Sequence, residues 1–150
     1  MSISRDEFLR RYTGIRRAMR EDAMDCLVIA GRNDYFSQGN IRYVTGLAFG
    51  GYALFPPDGK PVCFLSRNQI GSPKHQKAGP LQDLVEFREL TEPISDITGQ
   101  MNRFDGGGNI GVVGMTDIPV PTYLGLKARL GERMVDSGAI FNHMRNIKSS

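Results

Sequence analysis

Asp25-Cys-Leu-Val-Ile-Ala30, closed by Gly31, decides how the chain is read, because every residue from Cys26 to Ala30 is apolar and nothing polar alternates with them. A strand with one wet face alternates; a short run that is apolar throughout fits a strand buried on both faces. Such strands belong to sheets that carry helices on both sides. On the N-terminal flank, Ser4-Arg-Asp-Glu7 is a capping-box pattern, in which the serine hydroxyl accepts from the amide three residues on and the glutamate reaches back. Phe8, Tyr12, Ile15 and Met19 then recur at helical spacing, while Arg10, Arg16, Arg17 and Arg20 fall mostly off that stripe. The spacing predicts a helix over 4–23.

On the C-terminal flank, residues 32–46 are polar and carry glycine, with room for a short helical turn from Ile41 to Val44. Tyr52-Ala-Leu-Phe55 and Val62-Cys-Phe-Leu65 then flank Pro56-Pro-Asp-Gly-Lys-Pro61, whose Asp58-Gly59 pair suits a tight reversal. This is an antiparallel hairpin. Residues 66–80 hold Gly71, Pro73, Gly79 and Pro80 and read as loop with one helical piece. Leu84 to Phe87 is a further strand. Thr91 is the expected cap of a helix bearing Ile94, Ile97, Met101 and Phe104, with Pro93 in the first turn, where its missing donor costs little. Gly106-Gly-Gly108 is the expected stop, and Ile110-Gly-Val-Val113 makes another strand. Pro119 and Pro121 introduce a helix over 121–130, Arg133-Met-Val-Asp136 reads as a short strand, and Ile140, Phe141, Met144 and Ile147 mark a last amphipathic helix. The order predicts an α/β, three-layer domain: a mixed sheet of about six strands with one antiparallel hairpin and helices on both faces. Without repeats or linkers, residues 1–150 form one domain.

Composition narrows the function classes. Hydrophobic residues are 40% and charged residues 23%, as in ordinary globular chains, so wholesale disorder is excluded. Nineteen Lys+Arg against 16 Asp+Glu leave a net charge of +3, too mild to mark a nucleic-acid binder. The apolar runs are strand-sized, far below the roughly 18 residues of a membrane span, so no membrane partner is expected. The opening Met-Ser-Ile-Ser-Arg-Asp-Glu has no apolar core behind a basic start, and the two cysteines make no disulfide framework. A reduced, cytoplasmic domain is expected.

The candidates for chemistry read as structure. Gly106, Gly108 and Gly111 match G-x-G-x-x-G, but they follow a helix and lead into a strand, the reverse of a dinucleotide fingerprint. Gly114-Met-Thr-Asp-Ile-Pro119 has the better order for an anion site, yet it lacks a lysine and Asp117 would repel the anion. His75 and His143 each stand without a second ligand-type side chain at a recognisable spacing, so no metal is expected in this chain. Cys26 and Cys63 sit inside strands, where a thiol is inert. The six arginines from Arg5 to Arg20 interleave with Asp6, Glu7 and Glu21, which favours a solvated face or the rim of a protein contact over a phosphate grip. A nuclease on an RNase-H-like sheet would gather carboxylates at one end of the sheet, and Cys26 to Ala30 holds none.

Asn40-Ile-Arg-Tyr-Val-Thr-Gly46, after a buried strand and before a hairpin, resembles the Asn-x-x-Tyr-x-Ser/Thr-Gly signature of the creatinase/prolidase/Xaa-Pro aminopeptidase N-terminal domain, which belongs to the pita-bread metallohydrolases. The order of other segments agrees. Arg10 to Cys26 resembles that domain's opening helix and first strand, Ile110 to Val113 its "Ile-Gly-Val" strand, and Val135 to Ser149 the segment joining it to a catalytic domain.

The resemblance implies an α/β fold with a mixed sheet and a non-catalytic role in dimerisation and substrate-pocket shaping. Asn40, Tyr43, Thr45 and Gly46 are then signature residues with a structural role. It further implies a homodimer, a C-terminal pita-bread domain beyond Ser150, and a pair of divalent metals (Mn, Co or Zn) in that domain rather than in this chain. In related enzymes a loop of this domain reaches the partner subunit's pocket. The stretch expected to do so here is Leu47-Ala-Phe-Gly-Gly-Tyr52, with Phe49, Gly50, Gly51 and Tyr52 as the contact residues. Creatinase carries an arginine in that neighbourhood; its absence here argues against creatine and leaves an Xaa-Pro peptidase as the expected parent. The alternatives are that this loop simply starts the hairpin, and that the same fold serves as a protein-interaction scaffold without an active catalytic partner.

Overall fold

The fold is given by a computed structural model of the chain, which describes residues 4–31, 39–45, 51–70, 84–104 and 107–141. In chain order the elements are α1 (Arg5–Glu21), β1 (Met24–Gly31), α2 (Gly39–Thr45), β2 (Gly51–Phe55), β3 (Val62–Leu65), α3 (Arg67–Ile70), β4 (Glu86–Glu89), α4 (Pro93–Met101), β5 (Asn109–Val113), α5 (Val120–Leu130) and β6 (Met134–Asp136). Short 3₁₀ turns, Met115–Asp117 and Gly131–Arg133, flank α5. The six strands form one sheet in the order β4-β3-β2-β1-β5-β6, and β2 alone runs antiparallel to its neighbours. This is the mixed sheet with a single hairpin that the pattern predicts.

β1 is central, with Val28 opposite Leu54 on one side and Val112 on the other. Every side chain from Cys26 to Ala30 is at 0% exposure, which is why the run has no polar alternation. Odd and even positions feed two cores. Leu27 and Ile29 join Ala53, Phe55, Cys63 and Leu65 under α1 and α2. Cys26 and Val28 join Tyr52, Leu54, Ile110 and Val112 under α4 and α5. Gly111 on β5 faces the first core, and a Cβ there would lie 2.5 Å from both Leu27 Cδ2 and Ser137 Oγ, so only glycine fits.

α1 forms as its cap and stripe predict. Ser4 Oγ accepts from the Glu7 amide at 3.1 Å, and Phe8, Tyr12, Ile15 and Met19 are all buried. Each such side chain contributes about 1.5–3 kcal/mol of burial, so the face rather than helix propensity holds α1 in place. After Glu21 the backbone reverses through Ala23, at φ 54°. The β1–β5 pairing then slips between Met24 and Cys26, leaving the Asp25 carboxylate to accept from the Gly108 amide at 2.8 Å.

Three local expectations need correction. The strand expected from Leu84 to Phe87 begins at Glu86, where the amide donates to Pro61 O at 2.9 Å and parallel pairing with β3 starts. Leu84 and Val85 are buried ahead of the strand, and that burial gives them a strand-like pattern. The cap of α4 is Glu92, whose carboxylate accepts from the Ser95 amide at 2.6 Å, whereas the Thr91 amide donates to Asp96 Oδ2 at 2.8 Å. The same helix ends at Met101 and leaves Phe104 in a following turn, with the Phe104 amide on Met101 O at 2.9 Å. The stop therefore precedes the glycines, and Gly106 lies outside the described residues. Of the last expected helix, residues 138–141 are helical with Ile140 and Phe141 buried, while Met144 and Ile147 lie outside the described residues.

Candidate functional site

α2 carries Asn40, Tyr43 and Thr45, and at seven residues it is too short to be stable alone. It is held from α1. Tyr12 Oη donates to Val44 O at 2.6 Å, and Arg11 Nη1 donates to Tyr43 O at 2.8 Å. These carbonyls belong to the last turn of α2, where the helix leaves its own acceptors unbonded, and a guanidinium there also suits the negative end of the helix dipole. Arg11 is itself fixed: its Cζ stands 4.4 Å over the Tyr43 ring and 5.2 Å over Phe8, and its Nε lies 3.4 Å from Glu7 Oε1. The bond from Arg10 to Glu7, helped by Arg11, holds the Glu7 carboxyl below its usual range. Burial pushes the Tyr12 phenol well up, so it remains a donor.

Around these tethers the signature residues are packed inward. Thr45 is buried and its Oγ1 donates to Ile41 O at 2.8 Å, while the Tyr43 ring lies 5.4 Å from that of Phe141. Asn40 Oδ1 is buried without a hydrogen-bond partner, and its amide nitrogen would lie 3.2 Å from a Cβ placed on Gly114. Asp117 Oδ2 would be 3.3 Å from that same point, so the loop after β5 already carries a carboxylate where an anion would bind. Gly114 to Pro119 is a connecting turn.

The structure divides the expected contact residues. Gly51 and Tyr52 open β2, whereas Gly46, Phe49 and Gly50 lie outside the described residues. Gly51 has φ 152°, and a Cβ on it would run into the Phe64 carbonyl oxygen, so the hairpin itself requires glycine there. Tyr52 points into the second core at 7% exposure; burial raises its phenol's pKa, against a hydrogen bond with Thr122. Its contribution is an anchor rather than contact area. The hairpin tip is held from α1 as well, by Arg16, which stacks 5.0 Å from the Phe55 ring and donates to Pro56 O at 3.4 Å and to Gly59 O.

The sequence reading placed Tyr12 in the core and took Arg11, with the other arginines from Arg5 to Arg20, for a solvated face or the rim of a protein contact; its side chain is instead 14% exposed and bonded to Tyr43 O. The only available signal was that Arg11 adjoins the buried stripe instead of opposing it. Among the described residues no group of three or more His, Cys, Asp or Glu converges, so these residues do not fit a pair of divalent metals. His75 and His143 lie outside the described residues. Cys26 and Cys63 are buried and form no disulfide, and burial pushes the Cys63 thiol up to about 12.

The chain matches a family model described as the creatinase/prolidase N-terminal domain over residues 11–147. Solved structures with the same fold include the dipeptidase PepE of Mycobacterium ulcerans, at 20% identity and TM-score 0.71, covering 100% of this chain and 39% of that one. An Xaa-Pro dipeptidase of Bacillus anthracis matches at 13% identity and TM-score 0.71, covering 95% of this chain and 37% of that one. The chain thus spans about two-fifths of the length of these proteins. The N-terminal domain of the cytoplasmic peptidase PepQ of Mycobacterium tuberculosis H37Rv matches at 16% identity and TM-score 0.63, covering 89% of this chain and 97% of that one. No curated protein matches the sequence.

Proposed function

The chain belongs to the creatinase/prolidase N-terminal domain family, and on that premise we propose that it is the non-catalytic domain of an Xaa-Pro peptidase, serving subunit association and the shaping of the substrate pocket. The observation that carries this reading is the family match over 11–147, which spans both the α2 signature and the whole sheet. The hydrolytic chemistry belongs to a pita-bread domain that follows this one and holds two divalent ions, Mn, Co or Zn. The parent is a cytoplasmic homodimer. No helix among the described residues is long and apolar enough to cross a membrane.

What this chain's own residues supply is position. α1 anchors α2 through Arg11 and Tyr12, and the close approach of Gly51 to β3 fixes the start of the hairpin. Of the stretch Leu47–Tyr52, Gly51 is taken up by the hairpin and Tyr52 by the second core, so residues 47–50 are what this reading offers to the partner subunit's pocket.

The test is to assay purified residues 1–150 on Xaa-Pro dipeptides with Mn²⁺ or Co²⁺. No metal-dependent turnover above background is expected, and turnover that follows added metal refutes the reading.

A further inference from the structure

Independently of the peptidase reading, we infer that Asp58 is a modification site: its side-chain carboxyl and the Gly59 amide nitrogen close to a succinimide that reopens as isoaspartate. Asp58 and Gly59 are exposed at the tip of the β2–β3 hairpin. The Gly59 amide donates to the carboxyl of the residue before it, at 3.0 Å from Asp58 Oδ1, so nucleophile and electrophile are already in contact. Gly59 has φ 86°, and a Cβ built on it would meet no atom beyond its chain neighbours within 4 Å. Neither a side chain nor a neighbour therefore obstructs the rotation that brings the nitrogen onto the carboxyl carbon. Asp136 is the contrast. Its successor, Ser137, commits its amide to Val112 O at 2.8 Å, and the Asp136 carboxylate accepts instead from the Gly138 amide at 3.0 Å.

The conversion is a dehydration followed by a hydration. A bond forms between Gly59 N and Asp58 Cγ, the C–O bond of the protonated carboxyl breaks, and the amide proton leaves with the hydroxyl as water. Water then adds to either ring carbonyl. Opening at Cγ restores aspartate, whereas opening at the main-chain carbonyl leaves the backbone running through Cγ, with an extra methylene and a free α-carboxylate. Nothing is oxidised or reduced, and water is the only co-reactant. The added methylene matters at this tip, because Arg16 donates to Pro56 O at 3.4 Å and to Gly59 O, on either side of Asp58. A main chain lengthened between those two acceptors does not keep both on one guanidinium, so conversion releases the hairpin tip from α1.

The 150-residue chain is held for weeks in warm, neutral buffer made with heavy-oxygen water, digested with trypsin and read by mass spectrometry. The peptide 43–67, in which Lys60-Pro61 stays uncut, should gain one heavy oxygen at Asp58 and split into two chromatographic forms. The new form should accept a methyl group from protein isoaspartyl methyltransferase. Asp136 should convert at least about tenfold more slowly, since the Ser137 amide must first break from Val112 O. Asp58→Glu keeps the charge but closes only a larger, slower ring, and should lose the conversion. Arg16→Met should destabilise the fresh chain to urea and have little further effect on the purified isoaspartate form, whose Arg16 bonds are already lost. No label at Asp58 in the folded chain overturns the site, and so does label that appears only once urea has unfolded the hairpin. Equal conversion at Asp58 and Asp136 overturns the part assigned to the tip geometry. An isoaspartate form as sensitive to Arg16→Met as the fresh chain overturns the release of the tip.

Discussion

Over Leu27, Ile29 and Phe55 the sheet is covered by α1 and α2, and three side chains of α1 reach distant backbone carbonyls there: Arg11 to Tyr43 O, Tyr12 to Val44 O, Arg16 to Pro56 O. Over Val28, Leu54 and Val112 it is covered by α4 and α5, and the contacts that tie these helices to the sheet and to each other include side-chain pairs: Arg88 to Gln100 Oε1, Arg129 to Thr98 Oγ1, Tyr52 with Thr122. The difference is one of what is specified. Apolar packing is non-directional and fixes how closely layers approach. A side chain bonded to a carbonyl fixes the path of the main chain, and only the first face has the signature helix and hairpin tip to place.

The largest expected effect compares the two cores. Phe55→Ala removes a fully buried ring that also supports Tyr12 and Arg16 and should cost about 3–5 kcal/mol; Leu54→Ala on the opposite face should cost about 2–4. Urea denaturation measures both, and a costlier Leu54→Ala breaks the comparison. Next come the polar contacts. Tyr12→Phe leaves Val44 O buried without its donor and should cost about 2 kcal/mol, while Arg129→Ala should cost about 0.5 or less. Equal losses would show that the two kinds of contact are equivalent.

Alkali should act on the first face through Cys63. Burial raises its folded pKa from 9.0 to about 12, so the folded state holds the proton over that interval while the unfolded state releases it. The contribution of this residue is complete below pH 9 and declines as pH rises towards about 12. Thermal unfolding at stepped pH should show a shallower decline in Cys63→Ala, and a slope unchanged by the substitution sinks the assignment. The smallest effect belongs to the outer surface of the second face. Leu124 is 58% exposed, and Leu124→Ser should shift stability by no more than about 0.5 kcal/mol in the same denaturation experiment.

How much of this was legible follows from where each signal resides. Cys26 to Ala30 announced two-sided burial because the cause, helices on both faces, acts on every side chain in the run. The hairpin was legible because Asp58-Gly59 encodes its own turn. The cap of α4 was not, since Thr91 and Glu92 both offer oxygens and only the fold decides which meets the Ser95 amide. β4 was displaced because Leu84 and Val85 are buried for reasons outside the sheet. At the candidate site, Asn40, Tyr43 and Thr45 were found through resemblance, not through their chemistry. Arg11 and Tyr12 escaped because their acceptors are backbone carbonyls 32 residues away, and a carbonyl leaves no mark in sequence.

Under the proposed role, the reactive ions are held by another domain. Equilibrium dialysis of the purified 150-residue chain against micromolar Mn²⁺ and Co²⁺ addresses it most directly. No stoichiometric retention of either ion is expected, and saturable retention that survives repeated washing would overturn the proposed non-catalytic role.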